Sequence, residues 1–201
     1  MTDVDTGPAP QALARRVLNI LIHPRAEWEV IDDEPATVGG IFLHYICPLA
    51  LIPPVAQAVG SIIFGRQALG IPYHPPLLAT VMGAVAGYVL TLAAILVIAL
   101  IIEALAPALG GQRNRVQALK VAAYSATPAW LLGVIGVLPF LSMAWLLSLY
   151  GIFLLHLGLP RLMKSSGDKA LIYTTVVIVS VLVLVILVGS LVAPLIALMG
   201  G

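Results

Sequence analysis

Glu103, His44 and His156 are the residues of this chain best suited to chemistry, because each is an ionisable or proton-exchanging group set in a long apolar stretch. An ionisable side chain in lipid is costly without a partner, which makes such residues functional candidates by default. Glu103 falls near the end of the second apolar stretch, His44 about two turns into the first, and His156 about one turn before Arg161. All three reach a similar depth. Glu103 with either histidine could hold a proton or cation as a buried pair, or receive a lipid head group. The alternative is that each side chain snorkels to the head-group zone or makes one hydrogen bond to a neighbouring helix. Two histidines and one carboxylate on three separate segments have no diagnostic ligand spacing, so no metal is expected.

Prolines form a second constellation. Pro48, Pro53 and Pro54 remove three backbone donors from the first apolar stretch. A helix there must bend or break, and Pro53, Pro54 and Gln57 mark the expected helix-break site. Broken helices can present carbonyls to ions or substrates, whereas prolines also serve as plain kinks in membrane helices. Gly83 and Gly87, spaced Gly-Ala-Val-Ala-Gly, predict a surface for close helix packing, inside one chain or between two copies.

The elements that carry these residues follow from where charge is missing. No Asp, Glu, Lys or Arg occurs in 35–65, 67–102, 121–160 or 170–201. Each run exceeds the roughly 20 apolar residues needed to cross a bilayer core of about 30 Å. Charged residues make up 9% of the 201-residue chain and hydrophobic residues 61%, against about 25% charged in soluble domains. The fold class is therefore all-α: a polytopic membrane bundle of five transmembrane helices with an N-terminal cytoplasmic amphipathic helix. Pro139 divides the longest run at a tight turn near Pro139–Ser142, giving spans at about 38–64, 77–105, 121–138, 143–159 and 171–199. The segment 121–160 is either two full spans or a re-entrant hairpin.

Residues 1–37 form a cytoplasmic N-terminal region and 38–201 the membrane domain. Thr2–Pro10 is expected to be a disordered tip, and the segment lacks the features of a cleaved signal. From Gln11 onward Leu13, Val17, Ile20 and Leu21 fall on one helical stripe. That helix lies either on the membrane interface or on the protein's own surface. Pro24 starts a second short helix bearing Trp28 and Ile31.

Orientation rests on the basic residues. Arg15, Arg16 and Arg25, then Arg113, Arg115 and Lys120, then Arg161, Lys164 and Lys169 share one side, leaving only Arg66 opposite. This predicts a cytoplasmic amino terminus and an external carboxyl terminus. Arg15, Arg16, Trp28, Arg113, Arg115, Lys120, Arg161 and Lys164 are the expected interfacial lipid contacts.

The segment His23-Pro-Arg-Ala-Glu-Trp-Glu-Val-Ile-Asp-Asp-Glu-Pro35 resembles the Pro, Trp, Ile, Glu pattern that opens bacterial members of the Yip family, the Ypt-interacting proteins. Ala118-Leu-Lys-Val-Ala-Ala-Tyr-Ser-Ala-Thr-Pro128 is similar to that family's Tyr and Pro stretch entering the third span. Trp145 and Met163-Lys-Ser-Ser-Gly-Asp-Lys-Ala170 extend the likeness, which covers most of the chain. The resemblance implies five membrane helices, a cytoplasmic amino terminus and location in the inner membrane. It implies no catalytic residues. Eukaryotic relatives associate with prenylated Rab GTPases and work in vesicle traffic.

Catalytic motifs are missing: there is no phosphate-binding glycine loop, Gly-x-Ser-x-Gly or His-Glu-x-x-His. The expected function is non-enzymatic, a membrane-organising or adaptor role through membrane lipids and a protein partner or homo-oligomer. The alternative is a small transporter or channel using the polar layer at Glu103. No cofactor is expected, and a net charge of +1 gives no reason for a nucleic-acid partner.

Overall fold

A computed structural model describes residues 10–68, 71–137, 149–165 and 167–199. The expected disordered tip and the turn at Pro139–Ser142 lie outside the described residues, apart from Pro10, which begins a helix. Helix α1 (Pro10–Ile22) and helix α2 (Pro24–Asp33) meet at His23. Pro24 ends the first and opens the second, since its missing N–H falls where a new helix has no acceptor for one. The stripe of α1 faces the protein: Val17 and Ile20 are buried, and Leu13 and Leu21 pack at the edge of the core.

The first membrane-length element runs Val38–Phe64. Thr37 caps it by accepting the Gly40 N–H at 3.0 Å. Inside it, α3 (Val38–Ile41) widens into a π turn (Phe42–Ile46), followed by α4 (Cys47–Ala50) and α5 (Ile52–Phe64). Pro48 cannot donate to the His44 carbonyl and its ring crowds it. The wide turn just before Pro48, in which the Cys47 N–H reaches back to Phe42, accommodates that crowding. The interruption itself lies at Leu51, two residues before Pro53. Pro53 and Pro54 open α5, where their lost donors would have had no partner.

A hairpin of β1 (Arg66–Ala68) and β2 (Ile71–Tyr73) follows, with Arg66 opposite Tyr73. Gly65 enters it at φ 71°, and a Cβ there would lie 2.9 Å from the Tyr73 carbonyl. Helix α6 (Leu77–Leu105) then returns across the bundle. Its break-side partner is specific: the Leu51 N–H turns to Leu49, and the Cys47 carbonyl instead accepts the Tyr88 hydroxyl of α6 at 3.1 Å.

Helix α7 (Arg115–Leu132) starts where the Asn114 side chain accepts the Gln117 N–H, and runs on through a 3₁₀ turn (Gly133–Val137). It is the central element: 61% of its membrane-length stretch is buried inside the protein, against 17% for α6. The chain resumes in α8 (Tyr150–Leu162) and ends in α9 (Gly167–Met199).

Among the described residues three helices are long and apolar enough to cross a membrane: Val38–Phe64, Leu77–Leu105 and Arg115–Ile135. The third begins at Arg115 rather than Val121. Residues 143–148 of the expected fourth span lie outside the described residues, and 171–199 falls within α9. The protein is thus a multi-pass membrane bundle whose elements, among the described residues, are all helices apart from the β1–β2 hairpin.

Candidate functional site

Polar side chains gather not at Glu103 but where α1 and α2 dock against α7 and α8. Trp28, 1% exposed, sits over Gly158 of α8, where an added Cβ would come within 2.7 Å of the indole. Its ring meets Tyr124 of α7 edge-on at 6.1 Å, and Tyr124 packs at 4.4 Å against Tyr45 with the rings tilted by 60°; the Tyr45 hydroxyl bonds Thr127 at 2.7 Å. One buried aromatic column therefore joins the amino-terminal hairpin, the first span and the third.

Charges surround this column. Arg16 pairs with Glu27 at 2.5 Å and also with Glu34. Burial disfavours the Arg16 charge, but neighbouring Tyr124, Glu34 and Glu27 hold its pKa above the ordinary guanidinium value. Lys120, 3% exposed, donates from Nζ to the carbonyls of Ile31 and Glu34, both at 2.6 Å. A cation there satisfies carbonyls that the end of α2 would otherwise orphan, and it complements the helix dipole. Arg161 pairs with Glu29 at 2.8 Å, Lys164 with Asp32 at 2.5 Å, and Gln117 donates to Asp32. The Tyr150 hydroxyl donates to the Leu21 carbonyl at 3.0 Å.

This placement corrects several expected lipid contacts. Trp28 and Lys120 are buried in the protein, and the Arg16 guanidinium is engaged by two carboxylates. Arg161 and Lys164 remain half exposed but pair with α2. Arg15 and Arg113 are exposed and have no side-chain partner among the described residues, while Arg115 bonds Glu103.

Of the two readings for Glu103, His44 and His156, a shared buried pair or separate local partners, the hydrogen bonds match the second. Glu103 accepts from Arg115 Nε at 3.0 Å, His44 contacts the Gly40 carbonyl of its own helix at 3.2 Å, and His156 contacts Thr174 of α9 at 3.1 Å. No hydrogen bond joins any two of the three. Among the described residues no group of three or more His, Cys, Asp or Glu could hold a metal ion.

Gly83 and Gly87 do not meet another helix, since a Cβ on either would enter open space. Instead they line a cavity of about 120 Å³ between α5 and α6, together with Pro53, Pro54, Gln57 and Thr80. The close approach occurs at Gly133, where a Cβ would lie 2.5 Å from Pro53. The sequence reading missed Glu27, Glu34, Tyr124 and Gly158. The available signal was the match of five carboxylates in 27–34 to the basic segments.

No solved structure matches the chain. It is 25% identical over 184 residues to the inner membrane protein YohC of Escherichia coli strain K12, covering 85% of this chain and 91% of that protein. The protein of the same name from Escherichia coli O6:H1 strain CFT073 matches to the same extent. A family model of the Yip1 domain covers residues 18–189, from α1 into α9: this chain belongs to the Yip1 domain family.

Proposed function

We propose that the protein is a non-enzymatic membrane-organising or adaptor component of the bacterial inner membrane, with its amino terminus in the cytoplasm and its carboxyl terminus outside. The observation that carries this reading is the use of Lys120, Arg161 and Lys164 to fix the α1–α2 hairpin on the bundle, while Arg16 ties α1 to α2. Those cations serve internal architecture, and what the molecule offers outward is a rigid helical surface. Its partners are membrane lipids and either another protein or a second copy. The inner-membrane location is supported by the name of the related YohC proteins, and the orientation by the nine-to-one distribution of Lys and Arg.

A transport role needs a continuous polar path, and the separate partners of Glu103, His44 and His156 argue against one. The test is ion flux in proteoliposomes. The protein should conduct neither protons nor alkali cations above empty vesicles. A flux abolished by Glu103→Gln, in protein that still purifies as the parent does, would replace the adaptor reading with transport.

A further inference from the structure

The contacts of the amino-terminal hairpin run in order down two neighbouring helices. Along α7, Asp32 meets Gln117, the carbonyls of Ile31 and Glu34 meet Lys120, and Trp28 meets Tyr124. Along α8, Asp32 meets Lys164, Glu29 meets Arg161, Trp28 meets Gly158, and Leu21 meets Tyr150. Helix α2 therefore lies alongside the bundle, and the joint with α1 is its deepest point. Gly151 is pressed against the Ser125 carbonyl, which puts Tyr150 at the level of Ser125. Ser125 is about 15 Å along α7 from Arg115, at about 1.5 Å per residue.

At that level the outer face of the hairpin is apolar. Leu18 is 56% exposed and Ile22 63%. They are one turn apart on the same face of α1, and Leu149, Ile152 and Phe153, which flank Tyr150 in sequence, are exposed as well. Arg15, one turn before Leu18, lies on that face about 10 Å nearer the charged end than Ile22, at about 1.5 Å per residue. An apolar tip below a free guanidinium matches a phospholipid, acyl chain below and phosphate above.

We propose that the α1–α2 joint is embedded in the leaflet on the amino-terminal side of the membrane, with Leu18 and Ile22 against acyl chains and Arg15 at the phosphates. The surface involved is the opposite of the Leu13, Val17, Ile20, Leu21 stripe, which the protein itself covers. Arg25, near the joint, reaches the head groups by extending its stem. The placement holds whichever side of the membrane carries the amino terminus.

The experiment places a nitroxide at Leu18→Cys or Ile22→Cys in a Cys47→Ser background, in vesicles of phosphatidylethanolamine and phosphatidylglycerol. Phe153→Cys and Asp33→Cys serve as lipid and water references. Collision with oxygen against a water-soluble nickel chelate should place position 22 about 5–10 Å below the phosphates, the depth of interfacial helices, with position 18 shallower. Nickel access at 22 equal to that at 33 would overturn the proposal, and so would protection from both reagents, which would mean a protein cover. A photo-crosslinker at position 22 in the chain that keeps Cys47 gives a second reading. Attachment to phospholipid is expected, and attachment only to protein would overturn the proposal.

Discussion

At the scale of single residues, stability depends on whether a polar group has an alternative partner. Lys120 is enclosed, and the two carbonyls it serves have no donor in their own helix. Arg161 and Glu29 are half exposed, at 44% and 58%, and water can replace either. Lys120→Met should therefore cost about 1–3 kcal/mol, the penalty for orphaned buried acceptors. Arg161→Ala or Glu29→Ala should cost about 0–1 kcal/mol, the usual contribution of an exposed pair. Thermal unfolding in detergent gives the ranking, and amide exchange across residues 24–33 should speed up only for the Lys120 variant. Equal losses at the two sites would mean that the hairpin is held by its surface pairs. The sequence disclosed that Lys120 was a charge beside an apolar stretch. It could not disclose the partner, because Ile31 lies 89 residues away and nothing local links the two.

At the scale of elements, the helices were legible wherever a local cause sets them. Pro24 starts α2, and the expected spans 38–64 and 77–105 match the first two membrane-length helices in extent. The third helix begins before the charge-free run does, because carbonyls of another element accept the hydrogen bonds of Lys120, which can therefore lie buried inside a helix that crosses the bundle. Local pattern did not reveal which glycines pack closely within the chain. Gly83 and Gly87 have the packing spacing, yet a Cβ on either meets nothing, whereas one at Gly133, Gly151 or Gly158 would collide with Pro53, the Ser125 carbonyl or Trp28. Gly83→Ala and Gly87→Ala should thus leave the protein unchanged or stabilise it by up to about 1 kcal/mol, the helix preference of Ala over Gly. Gly133→Ala should destabilise it by about 1–3 kcal/mol through overpacking at the broken span. Unfolding midpoints of the three variants decide this. Loss at Gly83 equal to that at Gly133 would mean that a second copy fills the space between α5 and α6.

At the scale of the whole molecule, charge gives two kinds of information that the sequence alone merges. The Lys and Arg distribution predicts which side each loop occupies, and the same residues were read as head-group contacts. In the folded chain Arg161 and Lys164 pair with carboxylates of α2 and Lys120 with the carbonyls of Ile31 and Glu34, so the acidic and basic segments must lie on the same side. That coupling strengthens the topological expectation, because α2 cannot sit opposite Arg161 and Lys164 while paired to them. His74, exposed beyond the β hairpin, belongs to the other end of the first two membrane-length helices. In a Cys47→Ser background, His74→Cys should react with an impermeant maleimide in intact cells, and Arg113→Cys should react only after permeabilisation. The reverse pattern would invert the whole molecule, moving the hairpin and its ion pairs to the outer face. Labelling of both positions in intact cells would break the link between the basic loops and one side of the membrane, and with it the reading of the ion pairs as the seam between the hairpin and the bundle.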